Sequence, residues 1–446
     1  MIDTKFPKLI TKLPGPKAAE VLKLDAQYIS PSYTRDYPMV AKTGRGAMVE
    51  DVDGNVFLDL GAGVAVVSTG HCHPDVIAAI QKQAAELIHM CEADFYYPHL
   101  VEFAQKITSV IPGDEPKRVY YGNSGTEAVE AAFKLARYHT KRDKVIAFYG
   151  SFHGRTMGSL SLTASKSVQR KGFGALVPGV FHIPYPNCYR CPYGLKPESC
   201  CTECATVLER ELFKRIVDPE DVAAIFVEPI QGEGGYLVAP PEFMKELERV
   251  CRKYGILLVI DEVQSGMGRT GKWWAFEHSG VTPDILCVAK GVASGMPLGL
   301  TIAPARIMNW GPGAHASTFG GNPVCIAAAT ATFDLVQKHY LENARKVGDY
   351  FFQRLGEWPK KHKIVGDVRG KGLMIGVEIV RDQQTKEIAK DLRDKIVLEA
   401  FHKGLILIAC GQNSFRLCPP LVIDQEQADF AVTTLDNIIT ELEKTV

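Results

Sequence analysis

The stretch 256-ILLVIDEVQSGMGRTG-271 is an apolar, β-branched run that ends in Asp261, with Gln264 three residues further on. A second run, 283-PDILCVAKGVASGMPLG-299, ends in Lys290, 29 positions after that aspartate. Short apolar runs bounded by turn residues read as buried strands of a parallel sheet. Two of them therefore deliver a carboxylate and an amine at their carboxyl ends, where open α/β sheets bind their ligands.

A lysine in apolar company usually runs its stem out to water. Here PDILCVAKG carries no other polar side chain after Asp284, so a buried Lys290 needs a partner or a covalent bond. A Schiff base with an aldehyde supplies the bond, and Asp261 can pair with a protonated pyridine nitrogen. Both requirements meet in pyridoxal 5′-phosphate (PLP).

Around these runs, strand-like and helix-like segments alternate from Val119 to Gly321. The strand candidates are VYYGN, KVIAFYG, GVFHIP, VAAIFVEP, ILLVIDEV and PDILCVAK. EAVEAAFKLARYHT and PEFMKELERVCRKYG are helix candidates between them. Such alternation predicts an α/β fold with a mostly parallel sheet covered on both faces. A long helical pattern over 327–350 leads to a smaller α+β unit containing GLMIGVEIV, GLILIACG, SFRLCPP and a final helix. Residues 39–63 alternate about Asp53-Gly54-Asn55, a hairpin signature. The expected division is 1–68 as an N-terminal arm and hairpin joining the small domain, 69–325 as the large cofactor-binding domain, and 326–446 as the C-terminal small domain.

Site candidates cluster at the ends of these strands. Ser124, Gly125 and Thr126 follow a strand and open a helix, where free N–H groups favour an anion such as phosphate. Read alone, SGT before a helix is usually just a cap. Phe152, in 148-FYGSFHGRT-156, follows another strand and can stack on a ring, while His153 beside it receives no role. Thr318, in 315-HASTFGGNPV-324, can offer a hydroxyl to the phosphate.

Composition sets outer bounds. Charged residues balance to zero net charge and no apolar run reaches about 20 residues, so neither nucleic acid nor a membrane is an expected partner. The first residues lack a signal peptide's apolar core, which makes the cytoplasm the default expectation. Five of the twelve cysteines crowd into 188-CYRCPYGLKPESCCTEC-204. Cys188, Cys191, Cys200, Cys201 and Cys204 admit a metal site, disulfides or reduced thiols, and the short gap between the pairs fits common zinc-ribbon spacing poorly. No metal is assigned.

As a set, LDLGAGVAVVSTGHCHP, GNSGTEAVEAAFKLAR, SFHGRT, EPIQGEGG, LLVIDEVQSGMGRTG, AKGVASGMPLG and STFGGNPV resemble the class III (subgroup II) PLP-dependent aminotransferases. That group includes the ornithine, acetylornithine and gamma-aminobutyrate aminotransferases. The resemblance covers nearly the whole chain and implies PLP fold type I, the aspartate aminotransferase-like architecture. It implies a homodimer with shared active sites and leaves open whether dimers pair into tetramers. Lys290 would be the Schiff-base lysine, Asp261 the partner of the pyridine nitrogen and Gln264 the neighbour of the phenolic oxygen. Ser124, Gly125 and Thr126 would form the phosphate cup, Phe152 would stack on the ring, and Thr318 would reach the neighbouring subunit's phosphate. Arg155 fits the position that binds a distal carboxylate, Arg416 the one that holds an α-carboxylate, and Glu233 the acid that pairs with that arginine.

The expected reaction moves an amino group from an ω-amino acid or amine to 2-oxoglutarate or a similar oxo acid, with ping-pong kinetics. Val64 stands near where ornithine-specific members present an aromatic, which tilts the reading towards gamma-aminobutyrate-like donors. The same motifs are shared by amino-acid racemases of the family, the principal alternative. Glutamate-1-semialdehyde aminomutase is disfavoured by the set Arg155, Glu233 and Arg416. A non-catalytic binding protein on the same fold is disfavoured by Lys290, Asp261 and Gln264 together.

Overall fold

The computed structural model describes residues 2, 4–200 and 202–445. Its centre is a seven-stranded sheet in the order Lys117–Gly122, Gly299–Pro304, Ile285–Val288, Leu257–Asp261, Val222–Val227, Lys144–Phe148, Val180–Ile183. All neighbours pair in parallel except Gly299–Pro304, which is antiparallel to both strands beside it. Every residue of Val222–Val227 and Leu257–Asp261 is buried, as expected for strands covered on both faces. The six anticipated strands are present. Gly299–Pro304 was not anticipated, because Gly295, Pro297 and Gly299 around it carry turn chemistry.

The Gly125–Thr140 helix packs on this sheet through Ala128, Ala132 and Ala136. Small side chains let the helix come close enough for Thr301 Oγ1 to donate to the Ala128 carbonyl at 2.8 Å. Ser124 caps its start, and Lys141 ends it in the left-handed region at φ 60°.

A second hydrophobic cluster gathers a four-stranded antiparallel sheet, Val365–Lys371, Met374–Ile379, Ser414–Leu417 and Ile408–Cys410, with helices Leu341–Leu355, Lys390–His402 and Gln425–Glu443. The N-terminal strands Met48–Asp51 and Val56–Asp59 form the anticipated hairpin. Leu405–Ile406 adds to it in parallel, and Met48, Val56 and Leu58 share the second cluster. The long helical stretch runs as Pro323–Leu335, a wide π turn over Val336–Tyr340, and Leu341–Leu355. No described helix is long and apolar enough to cross a membrane.

Candidate active site

Parallel pairing sets the first relationship. Asp261 lies opposite Cys287 in the register, so Lys290 follows three residues beyond that pair, past the sheet's carboxyl edge. The chain turns sharply there: Lys290 adopts φ 46°, a left-handed conformation that costs a residue with a Cβ about 1–3 kcal/mol and clusters at functional sites. Among the described residues its ammonium has no hydrogen-bond or ion-pair partner. Burial and the nearby Arg416 charge lower its pKa, against the pull of Asp261 and Glu228.

Asp261 is 4% exposed. Its Oδ1 accepts from Val263 N at 2.9 Å, and Oδ2 lies 2.7 Å from His153 Nδ1. Burial opposes a charged imidazole, but the Asp261 hydrogen bond and charge outweigh it, so the His153 pKa is raised. His153 is thus the neighbour that keeps Asp261 company, a function the sequence reading did not assign. Glu228 was missed as well. Its carboxylate accepts from Phe152 N and Gly232 N, both at 3.0 Å, and fixes the two loops that flank the site. Its position at the end of VAAIFVEP, a strand-terminal carboxylate like Asp261, was the available signal.

Gln264 Oε1 accepts from Tyr236 Oη at 2.8 Å and from Arg416 Nη1 at 3.4 Å, which turns Nε2 outward as a donor. A Cβ on Gly232 would overlap that amide, so only glycine permits the approach. Tyr236, fully buried with the Arg416 guanidinium 5.7 Å from its ring centre, was not anticipated.

At the helix start, Ser124 Oγ pairs with Glu127, and Thr126 Oγ1 lies 2.6 Å from Ser159 Oγ and 2.8 Å from Thr156 Oγ1. Both hydroxyls, expected to face an anion, are engaged within the chain because these short side chains find nearer local partners. The N–H groups of Gly125 and Thr126 have no acceptor among the described residues and remain free for one. Phe152 is half-buried with the exposed Arg155 guanidinium 5.7 Å from its ring centre. Arg155 has no ion pair among the described residues. Thr318 is exposed, and its loop is tied to the cup by Ser317 Oγ, 3.0 Å from Asn123 Nδ2.

Arg416 comes from the other body, on the Ser414–Leu417 strand, and is 4% exposed. Its Nη2 lies 3.3 Å from Glu233 Oε2. The Glu233 main chain is held separately, its carbonyl accepting from Gly411 N at 2.8 Å. The structure therefore brings Lys290, Asp261, Gln264, Glu233 and Arg416 into one charged neighbourhood.

The cysteine-rich loop lies elsewhere. Cys188, Cys191, Cys200 and Cys204 line a cavity of about 200 Å³ and are unpaired, while Cys201 lies outside the described residues. Burial, then the other thiols, push the Cys204 thiol up to about 12. Among the described residues no group of three or more His, Cys, Asp or Glu is arranged to hold a metal ion.

This chain belongs to the class III aminotransferases, whose family model matches residues 29–439. It is 40% identical to an alanine/serine racemase of Pyrococcus horikoshii, over 99% of this chain and 94% of that protein. It is 39% identical to an acetylornithine aminotransferase of Caldanaerobacter subterraneus, over 95% of this chain and all of that one. Its fold superposes on a PLP-bound amine transaminase from an uncultivated Pseudomonas species with TM-score 0.85 and 31% identity, covering 93% and 98% of the two chains. The architecture is accordingly PLP fold type I, and the enzyme is a PLP-dependent transaminase. The donor set fits that cofactor: free N–H groups at a helix start, a buried carboxylate, an outward amide donor and an unpartnered amine.

Proposed function

We propose that this enzyme transfers an amino group from an ω-amino acid or amine to 2-oxoglutarate or a similar oxo acid in two half-reactions. The observation that carries this reading is the pairing of the buried Arg416 guanidinium with the partly buried Glu233 at 3.3 Å. A guanidinium covered by the chain's own carboxylate suits a donor whose reacting end has none. The same guanidinium, uncovered, takes an acceptor's α-carboxylate as a bidentate pair. The acetylornithine aminotransferase relative supports the ω-amino side of the proposal.

In this reading Gly125 and Thr126 hold the cofactor's phosphate through main-chain N–H groups, with Ser124 capping the same helix start. Asp261 holds the pyridine nitrogen, Gln264 the phenolic oxygen and Phe152 one ring face. When bound, PLP supplies an electron sink for the carbanion at the carbon bearing the amino group. Lys290 Nζ, its pKa lowered, takes the proton from that carbon as a general base and returns it as an acid. His153 Nδ1, 2.7 Å from Asp261 Oδ2, holds that carboxylate in place. Arg155 receives the distal carboxylate of the substrate.

A cytosolic homodimer completes the proposal. Exposed Ile88, Phe95, Tyr96 and Phe319, with the His89 and Phe319 rings 5.2 Å apart, give one apolar face beside Thr318. That supports Thr318 reaching a neighbouring subunit. Unpaired cysteines throughout the described chain suit a reducing compartment.

The racemase relative at 40% identity favours a second reading, in which the proton returns to the opposite face of Cα. A panel of gamma-aminobutyrate, ornithine and 5-aminovalerate with 2-oxoglutarate and pyruvate, beside L-amino acids alone, separates the two. Oxo-acid-dependent turnover of an ω-amino donor is expected. D-enantiomer formed without oxo acid, and no ω-amine turnover, would overturn the proposal.

A further inference from the structure

Glu233 has a second cation. Its Oε1 lies 2.5 Å from Lys166 Nζ, on the opposite side from Arg416 Nη2 at 3.3 Å from Oε2. The three side chains form a gradient from solvent inward: Lys166 is 41% exposed, Glu233 18% and Arg416 4%. Lys166 comes from the segment just before the Ser167–Gln169 turn, far in sequence from either partner.

From this bridge we infer that Lys166 is a positioning residue that sets the balance between α-carboxylate and ω-amino substrates by holding Glu233 when Arg416 is released. The inference rests on the functional reading above. A carboxylate that leaves a buried guanidinium with no other partner stays partly desolvated and uncompensated, and that cost opposes opening. Lys166 offers the departing carboxylate a cation already within hydrogen-bond distance. Opening then costs less, and Arg416 becomes accessible to a substrate carboxylate. Because Lys166 is partly solvated, its effect is modest and screened by salt. A donor without a carboxylate at its reacting end never asks Glu233 to leave, so it is indifferent to Lys166.

The test uses the PLP-loaded enzyme and compares Lys166→Met and Lys166→Arg with wild type. KM and kcat are measured for L-alanine and, separately, for gamma-aminobutyrate. Lys166→Met should raise the L-alanine KM about two- to fivefold, the scale of an exposed ion pair, with kcat and the gamma-aminobutyrate KM little changed. Lys166→Arg should restore the wild-type ratio. In a Glu233→Gln background the same Lys166→Met change should have no effect, since the two residues would act as one unit. Equal shifts for both substrates, no shift at all, or an undiminished effect without Glu233 would overturn the inference. Failure of the functional reading shows instead in wild type, as turnover of α-amino acids with no need for an oxo acid. The KM for that α-amino acid then still tests Lys166.

Discussion

His153 Nδ1 and Asp261 Oδ2 face each other at 2.7 Å with their side chains 0% and 4% exposed. The imidazole's other nitrogen, Nε2, is buried and has no hydrogen-bond partner among the described residues. His153 is the one side chain hydrogen-bonded to this carboxylate among the described residues, and it comes from a different strand end, 108 residues away in sequence.

Breaking that contact has a defined cost. His153→Ala leaves Asp261 buried without its hydrogen-bonded ion-pair partner, and loss of one member of a buried pair typically costs about 3–5 kcal/mol. Urea unfolding of the apo-protein is expected to show a loss on that scale. His153→Gln, which retains a donor, should lose less.

The same pair has a pH signature. The folded-state pKa of His153 is raised, so its stabilisation is full below the unfolded value of about 6.5 and fades as pH climbs through the raised value. Melting temperatures of wild type should therefore fall faster than those of His153→Gln on going from neutral to alkaline pH. Parallel curves would exclude the contribution.

Lys290 carries the opposite sign. A lowered pKa means that holding this amine costs stability at pH values below its folded pKa, and the cost vanishes above the unfolded value near 10.5. Lys290→Met should abolish turnover while the apo-protein melts at or above wild type near neutral pH. Residual turnover in the purified variant would contradict the role given to this amine.

Gly299 guards the helix start from the adjacent strand, where it pairs with Gly122. A Cβ there would overlap the Ser124 carbonyl and main chain. Gly299→Ala should displace the Ser124 cap, cost about 1–3 kcal/mol by overpacking and weaken PLP binding about tenfold, read by cofactor titration of the apo-enzyme.

Glu92 sits against Gly320 and Gly321, beside the Thr318 loop, and burial pushes its carboxyl up to about 8. A raised acid is destabilising once it ionises, so stability falls as pH rises from about 4.5 and levels off above about 8. Glu92→Gln should flatten that part of the pH profile in thermal unfolding.

What the sequence disclosed followed from locality. Asp261, Lys290 and Phe152 each end or follow a strand whose apolar run is visible in eight or nine residues, so their placement needed no knowledge of partners. The helix start after Ser124 was legible for the same reason, though not that its hydroxyls would turn inward to Glu127 and Ser159. Tyr236, Glu228 and Lys166 take their meaning from contacts 28, 76 and 67 residues away, which no spacing rule reveals. The antiparallel Gly299–Pro304 strand hid behind flanking glycine and proline, and its direction depends on the tertiary pairing alone.

The Glu233 carbonyl accepts from Gly411 N through the main chain alone, and Arg369 Nε likewise donates to the Gly235 carbonyl at 3.0 Å. Two rivets of peptide backbone and guanidinium thus fasten the turn to the neighbouring body. In the proposed exchange of substrates the acid at its tip leaves Arg416 for Lys166 while the main chain around it stays fastened, a flick of one side chain and no hinge.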